Sequence, residues 1–174
     1  KGLSMWWVVA WGVHSARLVP EAWRDLAQTG AGALESRLLQ EWLAKHDSEE
    51  SPFKYPFEVP EIREVGEWLV QFAPGRGGKR PLGKRATSVR EEFNPERFHF
   101  GKVKESEMLT PVAGDGDGCS VIVNVSPAGA FHSLLVPWVD DMLPQLWVAR
   151  GFGVALEVSR HLSSSSLLTF NSIG

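Results

Sequence analysis

Two aliphatic runs, VIVNV at 121–125 and SLLVP at 133–137, leave this chain the fewest choices of fold. Both are rich in β-branched or aliphatic residues, and the stretch SPAGAFH that separates them carries turn-forming proline and glycine. The pair therefore predicts an antiparallel hairpin with a long connection. Asp140 and Asp141 then precede a mainly helical stretch from about Leu143 to Leu162, where acidic side chains suit the positive end of a helix. Ser163 to Ser166 is a short break, and LLTFN at 167–171 reads as another strand. FHFGKV at 98–103 reads as a strand too, entered from the turn signal Asn94-Pro95. Two strands, a crossing helix and a further strand predict an α+β sheet domain.

The first half is less regular. Pro20 to Gly30 has proline in a first turn and glycine beyond the end, the asymmetry of a short helix. A second helix is predicted from about Ala33 to His46, because Leu34, Leu38 and Trp42, with Leu39 and Leu43, recur on one face. The three prolines of SPFKYPFEVP at 51–60 favour an extended connection. Alternation from Trp68 to Phe72 suggests a strand. APGRGGKRPLGKRA at 73–86 holds five cations and no acid, which fits a solvated linker or a phosphate-facing arm. It is not a P-loop, because Ala73 and Arg80 stand where that motif needs its first glycine and its magnesium-binding hydroxyl. GDGDG at 114–118 reads as a loop tip without the later ligands of a calcium loop.

At 174 residues, 43% of them hydrophobic, the chain suffices for one domain and a true core. A formal charge of -3 offers no cationic excess for a nucleic acid. Cys119 is the only cysteine, so no intrachain disulfide forms and a reducing, cytoplasmic setting is expected. The apolar run from Met5 to Val13 is shorter than the roughly 20 residues that span a bilayer, so no membrane role is expected. The tryptophans at 6, 7 and 11 suit a core or an interface. A first residue Lys1 and an end at Gly174 suggest a piece of a longer chain. The histidines, His14, His46, His99, His132 and His161, lie too far apart in sequence for a paired metal motif. Ser126 lacks the glycine two residues earlier that a nucleophile elbow requires. Spacing and composition alone thus support only a soluble α+β domain.

The order of four motifs says more. SVREEFNPERFHFGK at 88–102, VNVSPAGAFHSLLVP at 123–137, LPQ at 143–145 and FNSIG at 170–174 follow one another along the chain. This series resembles the GDP-hexose phosphorylases of the histidine-triad superfamily, which carry stretches like SVRxxFxPxxFNFxK, INVSPxxxGHVLLVP, LPQ and FNSLG. The likeness is strongest over residues 87–174, weaker from Trp23 to Arg85 and absent before that. Two departures stand out: His99 replaces an asparagine, which is expected to alter a hydrogen bond near the nucleotide, and Phe131 replaces the glycine before His132, which is expected to stiffen the turn.

The resemblance implies a histidine-triad-like antiparallel sheet with a crossing helix over 87–174, preceded by a helical and irregular lead-in with a basic linker over 1–86. It implies phosphorolysis of GDP-D-glucose to GDP and glucose 1-phosphate through a guanylyl-histidine, or the same reaction on GDP-L-galactose. Asn124, His132, Asn171 and Ser172 would bind the nucleotide, with Asn124 on the ribose hydroxyls and Asn171 on the phosphates. For His132 a structural hydrogen bond and a ligand contact stand level, and both asparagines are also natural turn caps. The family's nucleophile lies on a His-x-His-x-His run after FNSLG, and the 174 residues contain none, so the chain is expected to be inactive alone. The partners implied are a GDP-hexose, inorganic phosphate and a second copy in a homodimer, with no metal and no organic cofactor. The competing expectations are a non-catalytic guanine-nucleotide-binding remnant and an incomplete sheet whose exposed edge prevents stable folding.

Overall fold

A computed structural model describes residues 9–13, 32–54, 61–72, 94–109, 119–141, 149–163 and 166–170. The predicted hairpin is present as β4 (Cys119–Val123) and β5 (Ser133–Pro137). The two pair antiparallel, with Val121 opposite Leu135 and Ile122 opposite Leu134. β4 stops before Asn124 because that side chain turns to the backbone of the following loop, while its own N–H closes the ladder on the His132 carbonyl at 3.1 Å.

Two further strands, β1 (Val9–Val13) and β6 (Ser166–Phe170), complete a four-stranded antiparallel sheet in the order β4-β5-β1-β6. β1 belongs to the apolar run that is too short for a membrane, and it contains Trp11, one of the tryptophans that suit a core or an interface. It pairs on both sides, Val9 facing Leu135 of β5 and Phe170 of β6. A short continuous apolar run is what an interior strand needs, and periodicity alone could not have distinguished it from a buried helix segment.

The predicted helix at 33–46 is α1 (Ala33–His46), and its last turn is closed by the Asp47 N–H on the Leu43 carbonyl at 2.9 Å. Leu38, Leu39 and Trp42 are fully buried, with Leu34 and Leu43 packed at the flanks. They meet Val121, Val123 and Leu135 on one face of the sheet, together with Ala155 and Val158 of α2 (Ala149–Ser159). The opposite face of the hairpin carries Ile122, Leu134 and Val136, covered by Phe100, Val103 and Met108. Both faces are therefore buried, which explains why the hairpin strands read as unbroken aliphatic runs. Each such side chain stabilises the fold by about 1.5–3 kcal/mol.

The segment 98–103 is not the strand predicted from its sequence. Phe100–Lys102 forms a short 3-10 turn, with the Lys102 N–H on His99 at 2.9 Å and the Val103 N–H on Phe100 at 3.1 Å. In a strand Phe98 and Phe100 would share a face, yet Phe100 is buried and Phe98 is exposed. A second such turn, Glu105–Glu107, leads to Met108 and Leu109, which cap the outer edge of β4 through a bridge to Ile122 and a bond to the Val121 carbonyl at 2.8 Å.

The strand read at Trp68–Phe72 is β3, and its antiparallel partner β2 (Glu61–Val65) had not been read. Gly66, at φ 61°, supplies the left-handed residue of their turn. α2 begins at Ala149 among the described residues and ends at Ser159, three residues short of the predicted Leu162. Its predicted first turns at 143–148, the helix at 20–30, the basic stretch at 73–86 and the loop at 114–118 lie outside the described residues, as do 55–60 of the extended connection. The chain is α+β, a four-stranded antiparallel sheet with helices and a separate two-stranded hairpin.

Candidate functional site

The connection between β4 and β5 brings Asn124 and His132 together. Asn124 Oδ1 accepts the Ser126 N–H at 3.0 Å, so the amide caps the turn that its sequence position suggested. Asn124 Nδ2 lies 3.2 Å from His132 Nε2. On the other side of the ring, the Ala128 N–H donates to His132 Nδ1 at 2.9 Å. His132 thus makes a structural hydrogen bond with one nitrogen and turns the other toward Asn124. Both residues are half-buried, neither sealed in the core nor fully in water.

These contacts fix the chemistry of the pair. A backbone N–H can only donate, so Nδ1 must present a lone pair and the neutral ring carries its proton on Nε2. With Oδ1 turned to the Ser126 N–H, Nε2 and Nδ2 meet as two donors. An oxygen with lone pairs, such as a hydroxyl or a phosphate oxygen, could accept from both at once. An arrangement of this kind can bind and orient a polar ligand, and neither residue is held here as a nucleophile.

The turn is tethered to the lead-in. The Lys54 N–H donates to the Val125 carbonyl at 2.8 Å. The fully buried ring of Phe131 packs 5.2 Å from that of Trp42 on α1, which in turn lies 4.9 Å from Phe53. Phe131 has φ 59°, the left-handed region that glycine enters freely and a residue with a β-carbon avoids. The turn therefore holds a strained backbone beneath a buried ring. Sequence reasoning did not find the Ala128 N–H as a determinant of the ring, because a backbone donor leaves no mark on residue type.

Asn171 and Ser172 lie outside the described residues. His99, at the start of the Phe100–Lys102 turn, is buried beside Gly101, where an added β-carbon would come within 3.1 Å of its ring. Cys119 is a buried small side chain on β4. Among the described residues no group of three His, Cys, Asp or Glu is placed to hold a metal ion, and no helix is long and apolar enough to cross a membrane.

The family model described as GDPGP1-like, N-terminal domain, matches residues 33–174, a span that opens on the first residue of α1. GDP-D-glucose phosphorylase 1 of Danio rerio is 29% identical over 150 residues, covering 83% of this chain and 43% of that protein. GDP-D-glucose phosphorylase 1 of Bos taurus is 32% identical over 135 residues, 70% of this chain and 35% of that protein. GDP-L-galactose phosphorylase 2 of Arabidopsis thaliana is 28% identical over 165 residues, 81% of this chain and 38% of that protein. The chain thus spans less than half the length of these relatives, and no solved structure matches it. With four motifs in order and a family match that runs through α1, the hairpin and β6, the chain belongs to the GDP-hexose phosphorylase family and represents its N-terminal domain.

Proposed function

We propose that this protein serves the phosphorolysis of GDP-D-glucose to GDP and glucose 1-phosphate, and that the turn from Asn124 to His132 is one wall of its guanosine-diphosphate site. The observation that carries this reading is the approach of Asn124 Nδ2 to His132 Nε2, 3.2 Å apart, in a span shared with proteins named GDP-D-glucose phosphorylase. In the proposed reaction a histidine attacks the α-phosphorus, the bond to the bridging oxygen breaks, and glucose 1-phosphate leaves with that oxygen. Inorganic phosphate then attacks the guanylyl-histidine and releases GDP, so one difficult displacement becomes two easier ones. Charge gathers on the phosphate oxygens in both steps, and prepositioned N–H donors stabilise it without reorganising.

Asn124 is assigned to the ribose hydroxyls, His132 to the same wall, and Asn171 with Ser172 to the phosphates. Residues 87–174 carry the nucleotide-holding residues in this reading, as part of a histidine-triad-like sheet, but the division from a lead-in over 1–86 is not clean, because β1 (Val9–Val13) lies between β5 and β6 in the same sheet. The names of the plant relatives favour a second substrate, GDP-L-galactose, for the same chemistry.

The test combines binding with turnover on the 174-residue chain. It is expected to bind GDP and to release no hexose 1-phosphate from GDP-glucose or GDP-L-galactose, since its residues include no His-x-His-x-His run. Absence of GDP binding would remove the proposed wall. Release above a no-enzyme control would remove the assignment of the nucleophile to that run.

A further inference from the structure

Two ties from the lead-in converge on the loop that carries Asn124 and His132. One is the backbone bond from the Lys54 N–H to the Val125 carbonyl, at 2.8 Å. The other is the contact of the Phe131 ring with Trp42, 5.2 Å between centroids and tilted by 59°, with both side chains fully buried. Phe131 immediately precedes His132, so its left-handed φ of 59° sets the direction in which the His132 side chain leaves the backbone. The Ala128 N–H bond to His132 Nδ1, at 2.9 Å, depends on that direction. A glycine would reach the same φ without steric cost, but it would have no ring to fasten the turn to α1.

We infer that Phe131, anchored on Trp42, is a positioning residue that turns His132 so that Nδ1 meets the Ala128 N–H and Nε2 is presented beside Asn124. The lead-in helix then supports the proposed nucleotide site through Trp42. The expected effect on GDP binding rests on the function proposed above; the effect on the imidazole ring does not.

The experiment reads the ring directly, by ¹⁵N NMR of histidine-labelled 174-residue chain, alongside calorimetric titration with GDP. In the parent chain His132 is expected to show the tautomer protonated on Nε2. Phe131→Ala, which keeps the β-carbon at the left-handed position and removes the ring that holds it there, should move both ring nitrogens toward the averaged signals of a free imidazole, and Trp42→Phe should move them the same way by less. Val158→Ala, which loosens the same core from α2, should leave them in place. GDP affinity should fall roughly tenfold in Phe131→Ala, the loss expected when one ligand hydrogen bond is misplaced. Unmoved ring signals in a folded Phe131→Ala chain would overturn the inference, as would equal movement in Val158→Ala. If Phe131→Ala does not fold, Trp42→Phe decides, and unmoved signals there would overturn it. A parent chain that binds no GDP defeats the functional proposal while the ring signals still decide the positioning role. A ring that moves with no loss of GDP affinity, in a parent that binds GDP, would also overturn it.

Discussion

Asn124 uses one amide for two purposes, and the division explains how much of the site could be read in advance. Its place between a strand and a Ser-Pro turn marked both the cap and the candidate ligand contact, and the structure shows the cap, with Oδ1 on the Ser126 N–H at 3.0 Å. What spacing could not reveal is that the Ala128 N–H occupies His132 Nδ1 and so leaves Nε2–H facing a second donor. This geometry makes an unusual prediction. In Asn124→Asp the second donor becomes an acceptor while the turn keeps its cap, so the variant should be at least as stable as the parent in urea denaturation. A loss of more than about 1.5 kcal/mol, the upper end for one ordinary hydrogen bond, would contradict the assigned tautomer. Phe131 was visible as a departure from the family, but its backbone conformation was not, because nothing in a phenylalanine codes for positive φ.

At the scale of elements, periodicity served for α1, which buries one face, and missed β1, whose apolar run has no alternation. α1 could be read to the residue, since Leu38, Leu39 and Trp42 recur on its buried face. Glu35 lies on that face too, 1% exposed, and its role was invisible because its partners are far away in sequence. Its carboxylate accepts the Ser163 N–H at 3.1 Å and the hydroxyls of Ser163 and Ser166 at 2.8 Å each, fastening α1 to the start of β6. Glu35→Ala should therefore cost about 3 kcal/mol in urea denaturation, because it removes three hydrogen bonds to a charged group and leaves half-buried donors without it. A change below about 1 kcal/mol would show that the latch contributes little. β1 escaped notice for the opposite reason: an uninterrupted apolar run carries no face to read. Since β1 is the strand that joins β5 to β6, a chain lacking residues 1–13 should melt roughly 10 °C lower or lose its cooperative transition. An unchanged melt would contradict the placement of β1 inside the sheet.

For the molecule as a whole, the α+β class and the family were both legible, the first from the hairpin and the helices, the second from four motifs in order. The misread strand at 98–103 did not disturb either, because Phe100 still covers the hairpin face that a strand there would have covered. The lead-in carries more of the fold than its sequence suggested, through the Trp42 contacts below the turn and through β1 within the sheet. The central proposal is that Asn124 and Asn171 both contribute to one guanosine-diphosphate site. Side-chain amide NMR of the 174-residue chain during titration with GDP tests it most directly. Both amides should shift together along one saturating curve, and Asn124→Ala should abolish the shift at Asn171. Amides that stay still at saturating GDP, or an Asn171 signal that responds unchanged in Asn124→Ala, would contradict a shared site.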